Sequence, residues 1–406
     1  MAKKNYFLQI FFIFLSLFSL FKLYDNSTNL DAWQYGEWLI NYQHGFVRRG
    51  LIGEIIFLSS SLFNINIQTA FLLLLSSICI LYYYFNYQLL KTIKFSFVHY
   101  IILFSPLLYF FFVIISKVGI KKEILLYLFY ILYLLNLCSR NFNLSKNWKY
   151  IFIYFLLLFN HESVFFYLPY LIIPQLFVIS RKDFQNFIFQ NIILLIISSL
   201  IILFLYYNKG SIEHTLAICQ SLQNYAPMKC TWWGPIFALS HNLFVNINND
   251  PNLFFYLTGD YKTNFSFAFY ILYSFIPITV FLKFSYLNYN NLIINKNIFF
   301  YLCVSTFFFS FPLFHVAEDW SRWFSIHIHL TSFFIFFLYK RNLVYNNNSL
   351  KFKKINDFLI GKKFRNFFLI ILFVFSTSLH HHHFFFKGVK LEFTYYKIFK
   401  KIINYF

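Results

Sequence analysis

Charged side chains are concentrated between residues 25 and 54 of a chain in which only 12% of the residues are charged. The segment lies between two apolar runs and is too polar to lie in lipid. It contains four acids, which are Asp25, Asp31, Glu37 and Glu54. A carboxylate beside a membrane can accept a proton from an acceptor hydroxyl or hold a divalent cation. The segment is therefore a candidate for a catalytic or cation-binding site.

Asp25 and Asp31 are the leading candidates for a general base or a cation ligand. The alternative is that they are ordinary solvated or helix-capping acids, since Asp31 directly precedes AWQYGEW and would make a good N-cap. Glu37 and Glu54 are weaker candidates, and Glu54 is expected to pair with an arginine.

A pair of arginines, Arg48 and Arg49, follows between Gly45 and Gly50 in the stretch GFVRRG. Guanidinium groups present paired donors that match phosphate oxygens, and glycines allow close backbone approach. The alternative is contact with lipid headgroups. We favour a phosphate or pyrophosphate clamp, because the pair is expected on the face of the membrane that usually carries few basic residues.

Two further polar stretches, KVGIKKE and HVAEDWSRW, interrupt the apolar chain. The first provides lysines that can bind a lipid phosphate or form plain surface charge, namely Lys117, Lys121 and Lys122. In the second, Glu318 and Arg322 are four residues apart, and Asp319 lies beside them. That spacing puts Glu318 and Arg322 on one helix face, where they can join a site or form a local ion pair.

His161 and Glu162 lie inside an apolar stretch, where unpartnered polar groups would cost several kcal/mol, roughly 2–7 for each. We expect them to orient substrate or to pair with Arg48, Arg49 or Arg322, with Glu162 as a third candidate catalytic carboxylate and His161 in support. The histidine spacing needed for zinc is absent there. The run His380–His383 is typical of an adventitious metal site.

Composition indicates an all-α polytopic membrane protein, a helical bundle of about ten to eleven spans in one transmembrane domain, 1–406. Of 406 residues, 59% are hydrophobic and 25% aromatic, and repeated apolar runs approach 18 residues or more. The net charge is +20, but the cations lie mainly in short loops, where they meet anionic lipid. No nucleic-acid-binding motif is evident.

The loop charges predict an orientation. Lys3 and Lys4 place the N-terminus in the cytoplasm, before a first span at about Tyr6 to Leu23. Two large periplasmic loops are then expected at 25–64, with an amphipathic segment from Leu51 to Phe63, and at 207–264. The basic loop 340–365 is expected in the cytoplasm. This arrangement requires a broken helical segment near 150–180, interrupted at His161–Glu162.

The five cysteines divide into two groups. Cys79, Cys138 and Cys303 lie in or beside apolar runs and are expected to be packing residues. Cys219 and Cys230 share the 207–264 loop, where a periplasmic location would permit a disulfide bond. The sequence leaves the disulfide and the two free thiols as equal alternatives.

Together NYQHGFVRRGLIGE, KVGIKKE, the intramembrane HE and EDWSRW resemble bacterial proteins of surface-polysaccharide assembly. These are the C-type membrane glycosyltransferases and the O-antigen-polymerase-like proteins. The resemblance to the first implies a C-type fold with a catalytic acid in the first outer loop, where Asp25 and Asp31 lie, although they are six residues apart. The resemblance to the second implies basic residues against lipid pyrophosphate, a role open to Arg48, Arg49 and Arg322.

The sequence therefore predicts an enzyme of the bacterial inner membrane. It would transfer sugar from a polyprenyl-phosphate or polyprenyl-pyrophosphate donor to a glycan acceptor at the periplasmic face. Whether a divalent cation takes part is left open. The alternatives are a transporter or flippase of lipid-linked glycan and a non-catalytic membrane protein.

Overall fold

The computed structural model describes residues 6–27, 32–114, 120–139, 144–223, 235–240, 261–287, 296–316, 320–346, 349–361, 364–381 and 389–391. These residues are mostly helical. The α-helices, numbered in chain order, are α1 Tyr6–Ser27, α2 Ala32–Leu39, α3 Leu51–Leu62, α4 Ile67–Leu90, α5 Phe97–Leu103, α6 Tyr109–Ile114, α7 Glu123–Leu137, α8 Trp148–Asn160, α9 Pro169–Leu176, α10 Phe184–Tyr207, α11 Ile212–Gln223, α12 Tyr261–Phe284, α13 Lys296–Val316, α14 Trp320–Lys340, α15 Leu350–Ile360 and α16 Arg365–Ser378.

Short 3-10 turns and strands complete the described structure. The 3-10 turns are Leu144–Asn147, Glu162–Tyr167, Arg181–Asp183 and Phe237–Ser240. The strands form two antiparallel pairs, β1 Ser285–Leu287 with β2 Val344–Asn346, and β3 Leu379–His381 with β4 Val389–Leu391. The predicted all-α class therefore holds for nearly all of the described chain.

Among the described residues, three helices are long and apolar enough to cross a membrane, not ten to eleven. They cover Tyr6–Tyr24, Ile67–Leu90 and Arg181–Tyr207, with mean hydropathies of 1.9, 1.7 and 2.6 over their most apolar windows. Six further helices of the described chain contain apolar stretches of 10–17 residues, among them Ser274–Phe284 of α12 and Val304–Phe314 of α13. The span count from sequence was wrong because apolar composition continues through helix ends. The run at 97–114, for example, folds as α5 and α6.

The predicted break in the 150–180 region is present. Helix α8 ends at Asn160, His161 is extended with φ −162° and ψ 116°, and a 3-10 turn begins at Glu162. The next helix, α9, begins with Pro169 at its first position, where a missing N–H costs nothing. His161 and Glu162 therefore follow directly after the end of helix α8, where polar backbone groups lie close to polar side chains.

The chain divides into two compact units. The first comprises Met1–Lys91, Val118–Asn249 and Val304–Val316. Within it α1 packs along α4, where Gln9 Nε2 donates to Tyr87 Oη at 3.0 Å and the hydroxyls of Ser19 and Tyr83 lie 2.9 Å apart. Polar contacts of this kind fix the register of two apolar helices, for which hydrophobic burial in lipid gives no orientation.

Helix α3 packs closely against the end of α2 at Gly53. A Cβ on Gly53 would lie 1.8 Å from the Ile40 carbonyl oxygen, so only glycine allows the two backbones to approach this closely. The segment predicted to be amphipathic, Leu51–Phe63, is helical as α3 over Leu51–Leu62.

The second unit comprises Thr92–Lys117, Asp250–Cys303 and Ala317–Phe406. Most described residues of its helix α14 are buried, and Ser325 Oγ of that helix donates to the Leu107 carbonyl at 2.9 Å. Arg322 lies in this unit, 5.4 Å from the centre of the Trp323 ring.

Candidate functional site

Three helix ends in the first unit meet at the Arg48–Arg49 turn. Asn160, the last residue of α8, accepts the Ile52 N–H of α3 through its Oδ1 at 3.0 Å. Lys122, which precedes α7, donates from Nζ to the Arg49 carbonyl at 2.6 Å and to the Asn160 carbonyl at 3.4 Å. The last carbonyls of a helix carry partial negative charge, so an ammonium group is favoured there. Lys122 and Asn160 thus fix the turn in place.

Arg49 and Glu162 form a two-pronged ion pair within a cluster of charged residues, which also includes Glu37, Arg48, Lys121, Lys122, Glu123 and His161. Arg49 Nε donates to Glu162 Oε2 at 2.8 Å and to Oε1 at 3.0 Å, and Arg49 Nη2 donates to Oε1 as well. Arg48 Nη1 lies 3.6 Å from the same Oε1. Arg49 has φ 65°, in the left-handed region that non-glycine residues seldom occupy. The ion pair and the Lys122 contact together hold this strained residue.

Arg48 is directed into the protein rather than toward solvent, with 4% of its side chain exposed. Its Nη2 donates to the Ala238 carbonyl at 3.0 Å, and its backbone N–H donates to the Asn208 carbonyl at 3.2 Å. The first contact ties Arg48 to the 3-10 turn Phe237–Ser240, which packs against α11. The second ties it to the end of the membrane-length helix α10.

Glu37, a weak candidate in the sequence, is a central residue of the cluster. Only 2% of its side chain is exposed. Its Oε1 lies 3.0 Å from His161 Nε2, and its Oε2 lies 3.7 Å from Lys121 Nζ. The Ser163 N–H donates to His161 Nδ1 at 3.2 Å. Since Nδ1 accepts, a neutral His161 carries its proton on Nε2 and donates it to Glu37.

The electrostatics keep Glu162 ionised. Burial alone would raise its pKa, but the charge and hydrogen bonds of Arg49, aided by the charge of Arg48, outweigh burial and hold the pKa well below its ordinary value of 4.5. Glu162 is therefore a poor proton carrier near neutral pH. Its contacts with Arg49 and Arg48 agree with the pairing expected from the sequence, and we expect it to bind and orient; a catalytic role for this carboxylate stays a prediction.

Burial lowers the pKa of the other basic groups around this pair. It brings the pKa of Lys122 to about 7, partly opposed by Glu37, and it lowers the pKa of Arg48. Burial also lowers the pKa of His161, helped by the nearby charge of Arg49. The imidazole is therefore neutral at pH 7, in agreement with its role as donor to Glu37.

Cations outnumber anions in this group of described residues. Arg48, Arg49 and Lys121 face the three carboxylates of Glu37, Glu123 and Glu162, and Lys122, with its pKa lowered to about 7, adds part of a fourth positive charge. The least buried members are Arg49 with 18% of its side chain exposed, Glu162 with 12% and Lys121 with 10%.

The loop before the arginines is held by Glu54, although not as the sequence predicted. Glu54 Oε2 accepts the Tyr42 N–H at 2.8 Å, and Oε1 accepts from Gln43 Nε2 at 2.7 Å, so its described partners do not include an arginine. A Cβ on Gly50 would meet the Tyr42 ring at 2.1 Å, and Gly45 has φ +106°. Both glycines are required by the fold of the loop.

The remaining predicted residues are distributed as follows. Asp25 lies in α1, but its side chain is outside the described set. Arg322 belongs to the second unit. Cys219, in α11, is disulfide-bonded. Residues outside the described part of the chain are Asp31, Lys117, Cys230, Glu318, Asp319, His382 and His383.

Sequence reasoning did not assign roles to Asn160, Ser163 or the Ala238 carbonyl. Asn160 and Ser163 flank the HE pair in an apolar run, and that flanking position was the available signal. The carbonyl of Ala238 has no sequence signal, because every residue has one.

Among the described residues, no group of three or more His, Cys, Asp or Glu side chains is placed to hold a metal ion. Searches with protein-family models, among curated proteins and among solved structures found no match to this chain.

Proposed function

We propose that this chain is a membrane glycosyltransferase that takes a polyprenyl-phosphate-linked or polyprenyl-pyrophosphate-linked sugar and transfers the sugar to a glycan acceptor. The observation that carries the proposal is the excess of positive charge around Arg49, at the end of the membrane-length helix α10. A lipid-linked donor presents its phosphate close to the ends of such helices, where Arg49 is half-buried and can be reached.

In the proposed reaction, the bond between the sugar C1 and the phosphate oxygen breaks, and a bond from the acceptor oxygen to C1 forms. Negative charge then develops on the leaving phosphate. Arg49, together with Arg48 and Lys121, stabilises that charge in a poorly solvated environment, where electrostatic interactions are strong. The acceptor proton passes to a carboxylate of the first outer segment, Asp25 or Asp31.

The disulfide at Cys219 supports a periplasmic site. Disulfides persist in oxidising compartments, of which the bacterial periplasm is one. Cys219 lies in α11, and α11 packs on the 3-10 turn whose Ala238 carbonyl accepts from Arg48. The arginine turn and the disulfide-bonded helix therefore belong to the same side of the membrane.

The test is sugar transfer by purified protein in lipid nanodiscs, using radiolabelled polyprenyl-phosphate and polyprenyl-pyrophosphate sugars. We expect a glycan product from the native protein and a loss of about 100-fold or more with Arg48→Ala/Arg49→Ala, in line with removal of transition-state charge stabilisation. Lys182→Ala, at an exposed position at the opposite end of α10, should keep full activity. Full activity in the double variant would overturn the proposal.

A transporter of lipid-linked glycan would use the same cations without chemistry. Binding of the labelled donor with no product, together with movement of the donor across proteoliposomes, would favour that second candidate.

A further inference from the structure

We propose that Glu162 occupies, in the resting protein, the position on Arg49 that a substrate phosphate takes, so that the donor enters by exchanging its phosphate for this carboxylate. The inference rests on the proposed function, because it assumes a phosphate-bearing ligand.

The geometry of the ion pair is the first support. Arg49 presents Nε and Nη2 to the two oxygens of Glu162, and this is the same two-pronged contact that an arginine makes with a phosphate. A phosphate bound at Arg49 would need the same two donors. Glu162 and the phosphate therefore compete for one place.

The second support is the burial of the two partners. Arg49 and Glu162 have 18% and 12% of their side chains exposed, whereas Arg48 has 4% and Glu37 has 2%. The pair is thus at the accessible edge of the network. Only the side chain of Glu162 has to move, and it lies at the first position of a 3-10 turn, directly after the extended His161.

The third support is that contacts independent of Glu162 hold the turn. The Arg49 carbonyl accepts from Lys122, Arg48 Nη2 donates to the Ala238 carbonyl, and Asn160 binds the start of α3. The cluster can therefore keep its shape when the carboxylate leaves Arg49.

The charges favour the exchange. With Glu162 turned away, Arg48, Arg49, Lys121 and the partly protonated Lys122 face two carboxylates, Glu37 and Glu123, so the cluster gains one net positive charge that a phosphate can offset. With Glu162 in place, its carboxylate offsets that charge. The carboxylate thus keeps the buried cations compensated until the ligand arrives, since uncompensated buried charge is costly.

The test measures binding of inorganic pyrophosphate to the purified full-length protein by isothermal titration calorimetry. Glu162→Gln removes the competing charge, so we expect about tenfold or more tighter binding, the equivalent of one charge-assisted hydrogen bond. Glu213→Gln is the control, because it removes an exposed carboxylate of α11 in the same unit. It should bind pyrophosphate as the native protein does.

Equal or weaker pyrophosphate binding by Glu162→Gln would overturn the exchange. If that variant does not purify as a folded protein, Glu162→Asp is measured instead, because a side chain one methylene shorter holds Arg49 less well. Tighter pyrophosphate binding by Glu162→Asp supports the exchange. Unchanged or weaker binding overturns it.

Farnesyl pyrophosphate in the same titration identifies the source of the phosphate. Binding tighter than that of inorganic pyrophosphate supports a lipid-linked ligand. Equal binding supports exchange with a free anion and contradicts the lipid-linked donor. Transfer activity is measured separately on the native protein. If the native protein is active but Glu162→Gln does not bind pyrophosphate more tightly, only the exchange is overturned. If Glu162→Gln binds pyrophosphate more tightly but the native protein is inactive, only the proposed transfer reaction is overturned.

Discussion

Arg49 and Glu162 are 113 residues apart in sequence and meet through a two-pronged ion pair. The arginine has a left-handed backbone in a tight turn, and the glutamate lies where a helix breaks. Each residue alone is placed at a structural irregularity, and together they join α3 and α8. The pair therefore contributes both to the stability of this unit and to its candidate functional site.

The energetic link between these two residues can be measured with a double-mutant cycle. Arg49→Ala and Glu162→Ala should each lower the free energy of unfolding by about 3–5 kcal/mol, because each leaves a buried partner charge uncompensated. The double variant should cost less than the sum, by about 2 kcal/mol. Reversible unfolding in mixed micelles gives these values, and strictly additive losses would show that the two residues do not interact.

Low pH should lower the folding stability of the protein through protonation of Glu162. Its pKa is lower in the folded state than the ordinary 4.5, so its stabilising contribution is fully present above pH 4.5. The contribution is lost as the pH falls below 4.5 toward the folded-state pKa. Melting temperatures between pH 7 and pH 3 should therefore fall more steeply for the native protein than for Glu162→Gln. Parallel curves for the two proteins would contradict the assignment.

Gly53 should tolerate no side chain. Gly53→Ala places a Cβ against the Ile40 carbonyl, and because this atom is backbone it cannot turn aside. We expect a loss of about 3 kcal/mol in stability, at the upper end of the usual cost of overpacking. Ser61→Ala, on an exposed position of the same helix, is the control and should change stability by less than about 0.5 kcal/mol. A stable Gly53→Ala protein would mean that α2 and α3 are further apart.

The orientation can be determined by cysteine labelling at the two ends of α10. The membrane-length segment Arg181–Tyr207 has 27 residues, or about 40 Å as a helix, so Lys182 and the loop bearing His44 lie at opposite ends. With Cys79, Cys138 and Cys303 replaced, His44→Cys should react with an impermeant maleimide on intact spheroplasts. Lys182→Cys should react only after lysis. The opposite pattern would place the arginine turn in the cytoplasm and contradict a periplasmic site.

Hydropathy and charge were sufficient to predict the helical class, the first membrane-length helix and the break at His161–Glu162. These features are local: a run of apolar residues, a 3.6-residue period or an HE pair in an apolar stretch can be recognised without knowing the neighbours. The paired arginines and the HE pair were also recognised as candidates, because charges are rare in this chain.

The partners of those charges were decided only by the tertiary structure. Nothing in the sequence selects Glu162 rather than Glu54 for Arg49, or makes Glu37 the acceptor for His161. Such choices depend on which helix ends meet and on how far each side chain is buried. The number of membrane-length helices was misjudged for a related reason, since apolar composition records what can be buried but not where a helix ends. Local sequence therefore determined which residues must avoid water, and long-range packing determined which charges compensate one another.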